Sequence, residues 1–248
     1  MDCSEQDIIK AAGWIVNARH LVAFTGAGIS VESGIPPFRG EGGIWSRYDP
    51  SILEIDYFQR HPLESWEAIA EIFYNYFLNA RPNPAHRLLA RMEQEGMLKA
   101  VVTQNIDNMH REAGSREVIE YHGNSKYLVC SQCGANYEIA EISLETLPPR
   151  CHNDQEVLKP DFVFFGEGIP PDAASKSVEQ VSRADLLLLI GTTGEVMPAA
   201  MLPSIAKSKG ARVIEINPKS SSFTGSITDL LLQGPAGEVC SQMDSYLF

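Results

Sequence analysis

Four short apolar runs constrain this chain more than any other feature: HLVAFTG (20–26), LKAVVTQN (98–105), ADLLLLIGT (184–192) and ARVIEIN (211–217). They are apolar along most of their length and not at alternate positions only, which predicts strands buried on both faces. Stretches of helical spacing separate several of them. Residues 5–18 set Ile8, Ile9, Ala12, Ile15 and Val16 at helical spacing, and MLPSIAKSKG ends on Lys209 and Gly210, the basic last turn and glycine stop of a helix. Strands alternating with helices predict a mostly parallel sheet covered on both sides.

The expected class is therefore α/β: a Rossmann-like doubly wound parallel sheet with a smaller helical plus zinc-ribbon-like module. Two stretches interrupt the alternation and supply that module. Residues 40–80 are rich in aromatics and read as helical, and 123–157 hold a cysteine cluster with short β-like runs, KYLVC and ANYEI. The large part is then assembled from 1–39, 81–122 and 158–248. At 248 residues no linker separates independent domains, so one domain is expected.

A net charge of −12 repels nucleic acid and anionic membrane, so a direct nucleic-acid role is not expected and a basic protein or peptide partner fits better. No run approaches 18 apolar residues, and MDCSEQDIIK lacks a signal-peptide core, so a soluble cytoplasmic protein, acting as a monomer, is expected. Five cysteines, unevenly clustered, argue for reduced thiols with one metal site and against a disulfide framework.

LVAFTGAGISVESGIPPFRG (21–40) begins like a dinucleotide-binding turn and then departs from it. Gly26, Ala27 and Gly28 give the first two glycines of G-x-G-x-x-G, but Val31 stands at the third, and no acidic ribose ligand follows on a second strand. A G-x-G alone equally suits a plain strand-to-helix turn. Ser33, Gly34, Ile35, Pro36 and Pro37 cannot propagate a helix, so a loop begins there. Arg39 on that loop could meet a phosphate and Phe38 could cover an aromatic or sugar face; a solvated arginine beside a core phenylalanine is the plainer alternative. Glycines at 40, 42 and 43 predict mobility over 40–47.

GAGISVESGIPPFRG, TQNIDN (103–108), YHG (121–123), a CxxC pair, FGE (165–167), GTT (191–193) and IN (216–217), in this order over about 10–240, resemble the sirtuin (Sir2) family of NAD-dependent protein deacylases, in a prokaryotic-type form with an atypical zinc motif. The resemblance implies a deacetylase that uses NAD as co-substrate, passes the acyl group from lysine to ADP-ribose and releases nicotinamide. It makes His122 the general base, with Asn105 and Asp107 also catalytic. It assigns Gly26, Ala27, Gly28, Ser33, Ile35, Pro36, Phe38, Arg39, Trp45, Gln104, Asn105, Ile106 and Asp107 to the cofactor. Gly191, Thr192, Thr193, Asn217, Pro218 and Ala236 complete that set toward the adenine end. Acyl-lysine proteins or peptides would bind between Val163, Phe165, Gly166 and Glu167 on one side and Glu195 and Val196 on the other. Such binding pairs main-chain groups and tolerates varied side chains.

The chain departs from the family at the metal. Cys130-Ser-Gln-Cys133 is followed, after 17 residues, by Cys151-His-Asn-Asp154, so the last thiolate of a zinc ribbon is missing. Structural Zn2+ on Cys130, Cys133 and Cys151 with Asp154 or His152 is one reading; a metal-free module keeping three cysteines is the other. Family members that prefer succinyl or malonyl groups carry a tyrosine and an arginine three and six residues after a tryptophan like Trp66; here those positions are Ile69 and Ile72, which favours an apolar acyl group. Mono-ADP-ribosyl transfer or NAD hydrolysis shares the same first step. A non-catalytic NAD or ADP-ribose sensor is a third reading, expected to lack His122 or Asn105.

Overall fold

The computed structural model describes residues 3–39, 42–77 and 79–248. Its strands in chain order are β1 Leu21–Thr25, β2 Leu98–Thr103, β3 Val118–Glu120, β4 Gly123–Cys130, β5 Asn136–Glu138, β6 Leu158–Phe162, β7 Leu186–Ile190, β8 Arg212–Asn217 and β9 Leu230–Gln233. Six of them form a parallel sheet ordered β3-β2-β1-β7-β8-β9, the doubly wound arrangement expected. The four apolar runs are its central strands. The edge strands β3 and β9 were not legible, being three and four residues long and only partly buried.

Although β1 and β7 are buried at every position, their side chains still divide between faces. Leu21, Ala23, Leu188 and Ile190 pack with Ile8, Ile15, Leu89 and Met243; Val22, Phe24, Leu187 and Leu189 pack with Val181, Leu202 and Ala206. Two apolar cores, one per face, hold the helices Glu5–Val16, Pro84–Gln94 and Ala236–Leu247 on one side and Pro171–Arg183 and Met201–Ser208 on the other. Ser4 caps the first helix by accepting the Asp7 amide N–H, and Gly210, at φ +95°, follows the Met201–Ser208 helix as its sequence predicts.

The smaller unit is an antiparallel sheet, β5-β4-β6, covered by the helical segments between Ile44 and Phe77. The division at residue 158 needs correction: β6 pairs with β4, so the segment beginning at 158 opens in the smaller sheet. Trp66 ties the two layers together. Its indole is fully buried and its Nε1–H donates to the Leu158 carbonyl at 2.8 Å, while the Tyr74 hydroxyl donates to the Ser125 carbonyl at 3.1 Å. Truncating a tryptophan so placed to alanine costs about 3–5 kcal/mol. Of the 40–47 loop, Gly40 and Glu41 lie outside the described residues; Ile44 and Trp45 are held by backbone bonds to Pro37 and Phe38.

The chain runs from β1 outward through β2 and β3, then returns to the other side of β1 for β7, β8 and β9. Strand order therefore reverses between β1 and β7, and loops leaving their C-terminal ends diverge to form a crevice. No helix among the described residues is long and apolar enough to cross a membrane.

Candidate active site

Two glycine turns floor this crevice. Gly28 N–H donates to the Gly191 carbonyl at 2.8 Å, and a Cβ on Gly191, whose φ is +63°, would lie 2.2 Å from the Ile29 nitrogen. Backbones this close admit no side chain, which explains Gly-Ala-Gly after β1 and glycine after β7. A short 3-10 helix, Ala27–Ser33, follows the first turn and stops at Gly34, with φ +87°. The loop through Ile35, Pro36 and Pro37 then begins where the prolines predict.

Beyond that helix Phe38 packs against Trp45 and Phe73, with ring centroids 5.4 and 6.1 Å apart, and Trp45 approaches Phe165 at 6.3 Å. Four rings from three separate stretches of sequence thus form one aromatic wall. Arg39 pairs with Glu195, Nε to Oε2 3.5 Å, across the mouth of the crevice. With both side chains near half exposed, this contact contributes little stability.

The loop after β2 builds a buried polar cluster. Ser30 Oγ donates to Asp107 Oδ2 at 2.6 Å, Asn105 Nδ2 donates to Ser30 Oγ at 3.2 Å, and the Met109 amide donates to Asp107 Oδ1. Burial raises the Asp107 carboxyl above its ordinary range, while these donors oppose the shift. Asp107 thus both holds the first amide of the short helix Met109–Glu112 and faces Ser30 and Asn105. Gln104 donates from Nε2 to Thr192 Oγ1 at 3.1 Å and links the crevice walls, and Ile106 is buried in the smaller unit's core.

Sequence reasoning missed Ser30, His86 and His110. His86 Nδ1 accepts the Asn83 amide N–H, so its proton sits on Nε2, directed at Ser30 Oγ 3.4 Å away. Burial, reinforced by Arg87, lowers its pKa to about 4; His110, edge-on to His86 at 4.9 Å, is pushed well down by its own burial. A histidine on the apolar face of the helix Pro84–Gln94 was the available signal.

His122 lies between β3 and β4, immediately before Gly123. Its Nδ1 lies 3.1 Å from the Gln104 carbonyl oxygen, which only accepts, so Nδ1 carries the proton and Nε2 keeps its lone pair. Nε2 takes no partner among the described residues. Burial lowers the imidazole pKa below its ordinary value, and the Gln104 bond opposes that shift. The ring is thus neutral at neutral pH, with one fixed tautomer and a free base.

On the adenine side expected from the sequence, Thr192 and Asn217 are buried and joined, Asn217 Nδ2 donating to the Thr192 carbonyl at 3.0 Å; Thr193 and Pro218 are exposed at the rim. Ala236 opens the last helix, whose Gly237 N–H donates to the Glu32 carboxylate, a partner the sequence reading did not name. On the peptide side Val163 is half-buried, Phe165 and Gly166 are exposed, and Glu195 and Val196 lie on the facing loop. Three main-chain groups of this edge are already engaged: Val163 N–H donates to the His122 carbonyl, Phe165 N–H donates to the Leu53 carbonyl, and the Phe165 carbonyl accepts the Ile55 N–H. Glu167 acts as a staple, accepting the Phe164 N–H at 2.7 Å and pairing with Lys159 at 3.0 Å. Phe162, beside this edge, is a core residue, stacked on Phe164 at 5.0 Å.

The cysteine cluster is assembled. One ligand atom each of Cys130, Cys133, Cys151 and Asp154 lies within 4.8 Å of the others, and Cys133 Sγ is 3.6 Å from Cys151 Sγ. Zinc–sulfur bonds of about 2.3 Å in a tetrahedron separate sulfurs by about 3.8 Å, so this donor set fits zinc. His152 turns outward against Tyr137, leaving Asp154 as the fourth donor.

The profile of the Sir2 family matches residues 26–198. The NAD-dependent protein deacylase 2 of Pyrobaculum aerophilum is 44% identical over 239 residues, covering 95% of this chain and 94% of the relative. This chain belongs to the Sir2 family. The NAD-dependent protein deacylase of Aeropyrum pernix is likewise 44% identical, over 94% of this sirtuin and 95% of its own length. Among solved structures, a Sir2 homolog–NAD complex superposes with a TM-score of 0.89 at 39% identity, covering 99% of this chain and 96% of that one. A Sir2–p53 peptide–NAD+ complex superposes with a TM-score of 0.88 at 35% identity, covering 95% and 96%.

Proposed function

We propose that this sirtuin is an NAD-dependent protein-lysine deacylase, a deacetylase, moving the acyl group from lysine to ADP-ribose with release of nicotinamide. The observation that carries the reading is His122, a neutral imidazole with Nδ1 pinned by the Gln104 carbonyl and Nε2 free. NAD, when bound, supplies an electrophilic ribose carbon that the acyl-lysine oxygen attacks as nicotinamide departs. His122 Nε2 then accepts a proton from a ribose hydroxyl, a step suited to a base already neutral at working pH.

Asn105, Asp107 and Gln104 hold the nicotinamide-side ribose and carboxamide, with Ser30 and His86 bracing them from behind. The Ala27 N–H, flanked by Gly26 and Gly28 whose own N–H groups bond to the Ile190 and Gly191 carbonyls, meets the pyrophosphate, and Thr192, Thr193, Asn217, Pro218 and Ala236 take the adenine end. Acyl-lysine protein or peptide lies between the Val163–Glu167 segment and Glu195–Val196. Ile69 and Ile72, both buried among aromatics, offer no charge to an acidic acyl group, which supports an apolar one. Zinc held by Cys130, Cys133, Cys151 and Asp154 would brace the smaller sheet and take no part in acyl transfer.

An acetyl-lysine peptide incubated with and without NAD, with wild type and His122→Ala, tests this by mass detection of peptide and acetylated ADP-ribose. Both products are expected only with NAD and wild type. Deacetylation without NAD, or full activity in the variant, overturns the mechanism, and nicotinamide release without deacetylation points to ADP-ribosyl transfer or NAD hydrolysis.

A further inference from the structure

Glu215, in the middle of β8, is a fully buried carboxylate, and among the described residues no cation pairs with it. Four neutral donors surround it instead. Ser221 Oγ and Asn217 Nδ2 donate to Oε1, the latter at 3.0 Å, and Thr224 Oγ1 and Thr228 Oγ1 donate to Oε2 at 2.8 and 2.6 Å. Ser221 Oγ also accepts the Phe223 N–H and Thr224 Oγ1 the Ser221 N–H, which leaves each hydroxyl hydrogen for the carboxylate, a group that only accepts. These bonds fill the acceptor sites of a carboxylate. Such a group is costly to bury and earns its place by what it orients.

The oriented group is Asn217. Its two amide hydrogens go to the Thr192 carbonyl and to Glu215, both of which can only accept, so Nδ2 must face inward. Oδ1 takes no bond within the described chain and is not sealed from solvent. Asn217 therefore presents a fixed acceptor at the C-terminal end of β8, with a negative charge directly behind it.

We propose that Glu215 is a positioning residue that selects a nucleotide with a free adenine-side ribose hydroxyl over one phosphorylated there, by locking Asn217 as an acceptor. This rests on the reading that Asn217 meets that ribose. A hydroxyl donates to Oδ1; a 2′-phosphate brings acceptors and negative charge to an acceptor backed by a carboxylate. Three of the four bonds hold the Ser221–Thr228 loop, whose Ser222 bonds to Thr193 and Gly194, so Glu215 also secures the neighbouring rim.

Calorimetric titration with ADP-ribose and with 2′-phospho-ADP-ribose tests the proposal on wild type, Glu215→Gln and Glu215→Ala. Wild type is expected to favour ADP-ribose by roughly a hundredfold. Glu215→Gln, which keeps an oxygen for Asn217 but removes the charge, holds ADP-ribose within about threefold and narrows the preference. Glu215→Ala weakens ADP-ribose by about tenfold and narrows the preference further. A merely structural glutamate would weaken both ligands by one factor; an unchanged ratio in both variants overturns the proposal. Should Glu215→Ala fail to fold, Glu215→Gln decides alone. Wild type binding both ligands equally also overturns it while leaving the deacylase reading intact; wild type binding neither removes the NAD reading and this proposal with it.

Discussion

Substituting Gly28 by alanine isolates what the contact between the two glycine turns contributes. The new Cβ would lie 2.6 Å from Gly191 Cα, 2.8 Å from its carbonyl oxygen and 3.0 Å from its carbonyl carbon, all backbone atoms that no rotamer change can move. Gly28 does not have a left-handed φ, so alanine brings no conformational strain of its own and the whole penalty is steric. Ordinary carbon contacts need about 3.5–4.0 Å, so the turns must part by about 1 Å. That movement breaks the 2.8 Å bond from Gly28 N–H to the Gly191 carbonyl. Overpacking costs about 1–3 kcal/mol and a buried bond left unmade a similar amount, which together make about 4 kcal/mol a central value. For a chain of this length Tm should fall by roughly 8–16 °C. ADP-ribose affinity should fall at least about tenfold, because the displaced turn carries the Ala27 N–H proposed to meet the pyrophosphate. Gly13→Ala is the control: nothing lies within 4 Å of its Cβ position, and it sits inside the helix Glu5–Val16, so it should gain about 0.5–1 kcal/mol. Thermal melts and titrations of both variants check the argument, and a Gly28→Ala protein melting within about 2 °C of wild type refutes it.

The cysteine cluster predicts that Asp154→Cys retains zinc longer than wild type against a chelator and that Asp154→Ala loses it faster; equal metal content in all three after dialysis argues against Asp154 as a ligand. At His86 the folded pKa is lowered to about 4, whereas the unfolded side chain binds its proton near about 6.5. The unfolded state then holds more protons between these values, so stability is complete above about pH 6.5 and is lost as pH falls toward 4, by about 3 kcal/mol for a shift of this size. His86→Gln should flatten that limb of the Tm–pH curve; an unaltered slope would show that His86 does not carry it.

Much of the scaffold was legible because it rests on local pattern. Runs such as LLLLI must be buried on both faces, and a chain that alternates them with helices can cover such strands only by winding helices over both sides. The edge strands escaped notice since short, half-buried segments leave weak periodicity. Within the candidate site, glycines and prolines announced their backbone geometry, whereas Ser30, His86 and His110 did not. A serine or histidine on a helix carries no mark of what it meets across 50 or more residues of chain.

The sequence by itself determined the doubly wound class, the glycine turn that cannot continue as a dehydrogenase fingerprint, and the incomplete cysteine set, because these follow from backbone restriction, burial pattern and residue type. Only the tertiary structure decided that Asp154 and not His152 completes the cluster, that Phe162 belongs to a core, and which nitrogen of His122 is free. It alone joined Glu215 to Asn217 and the hydroxyls of the following loop. Each of these depends on which acceptor or donor lies opposite a side chain, and that is fixed by packing between segments whose order along the chain does not reveal their distance.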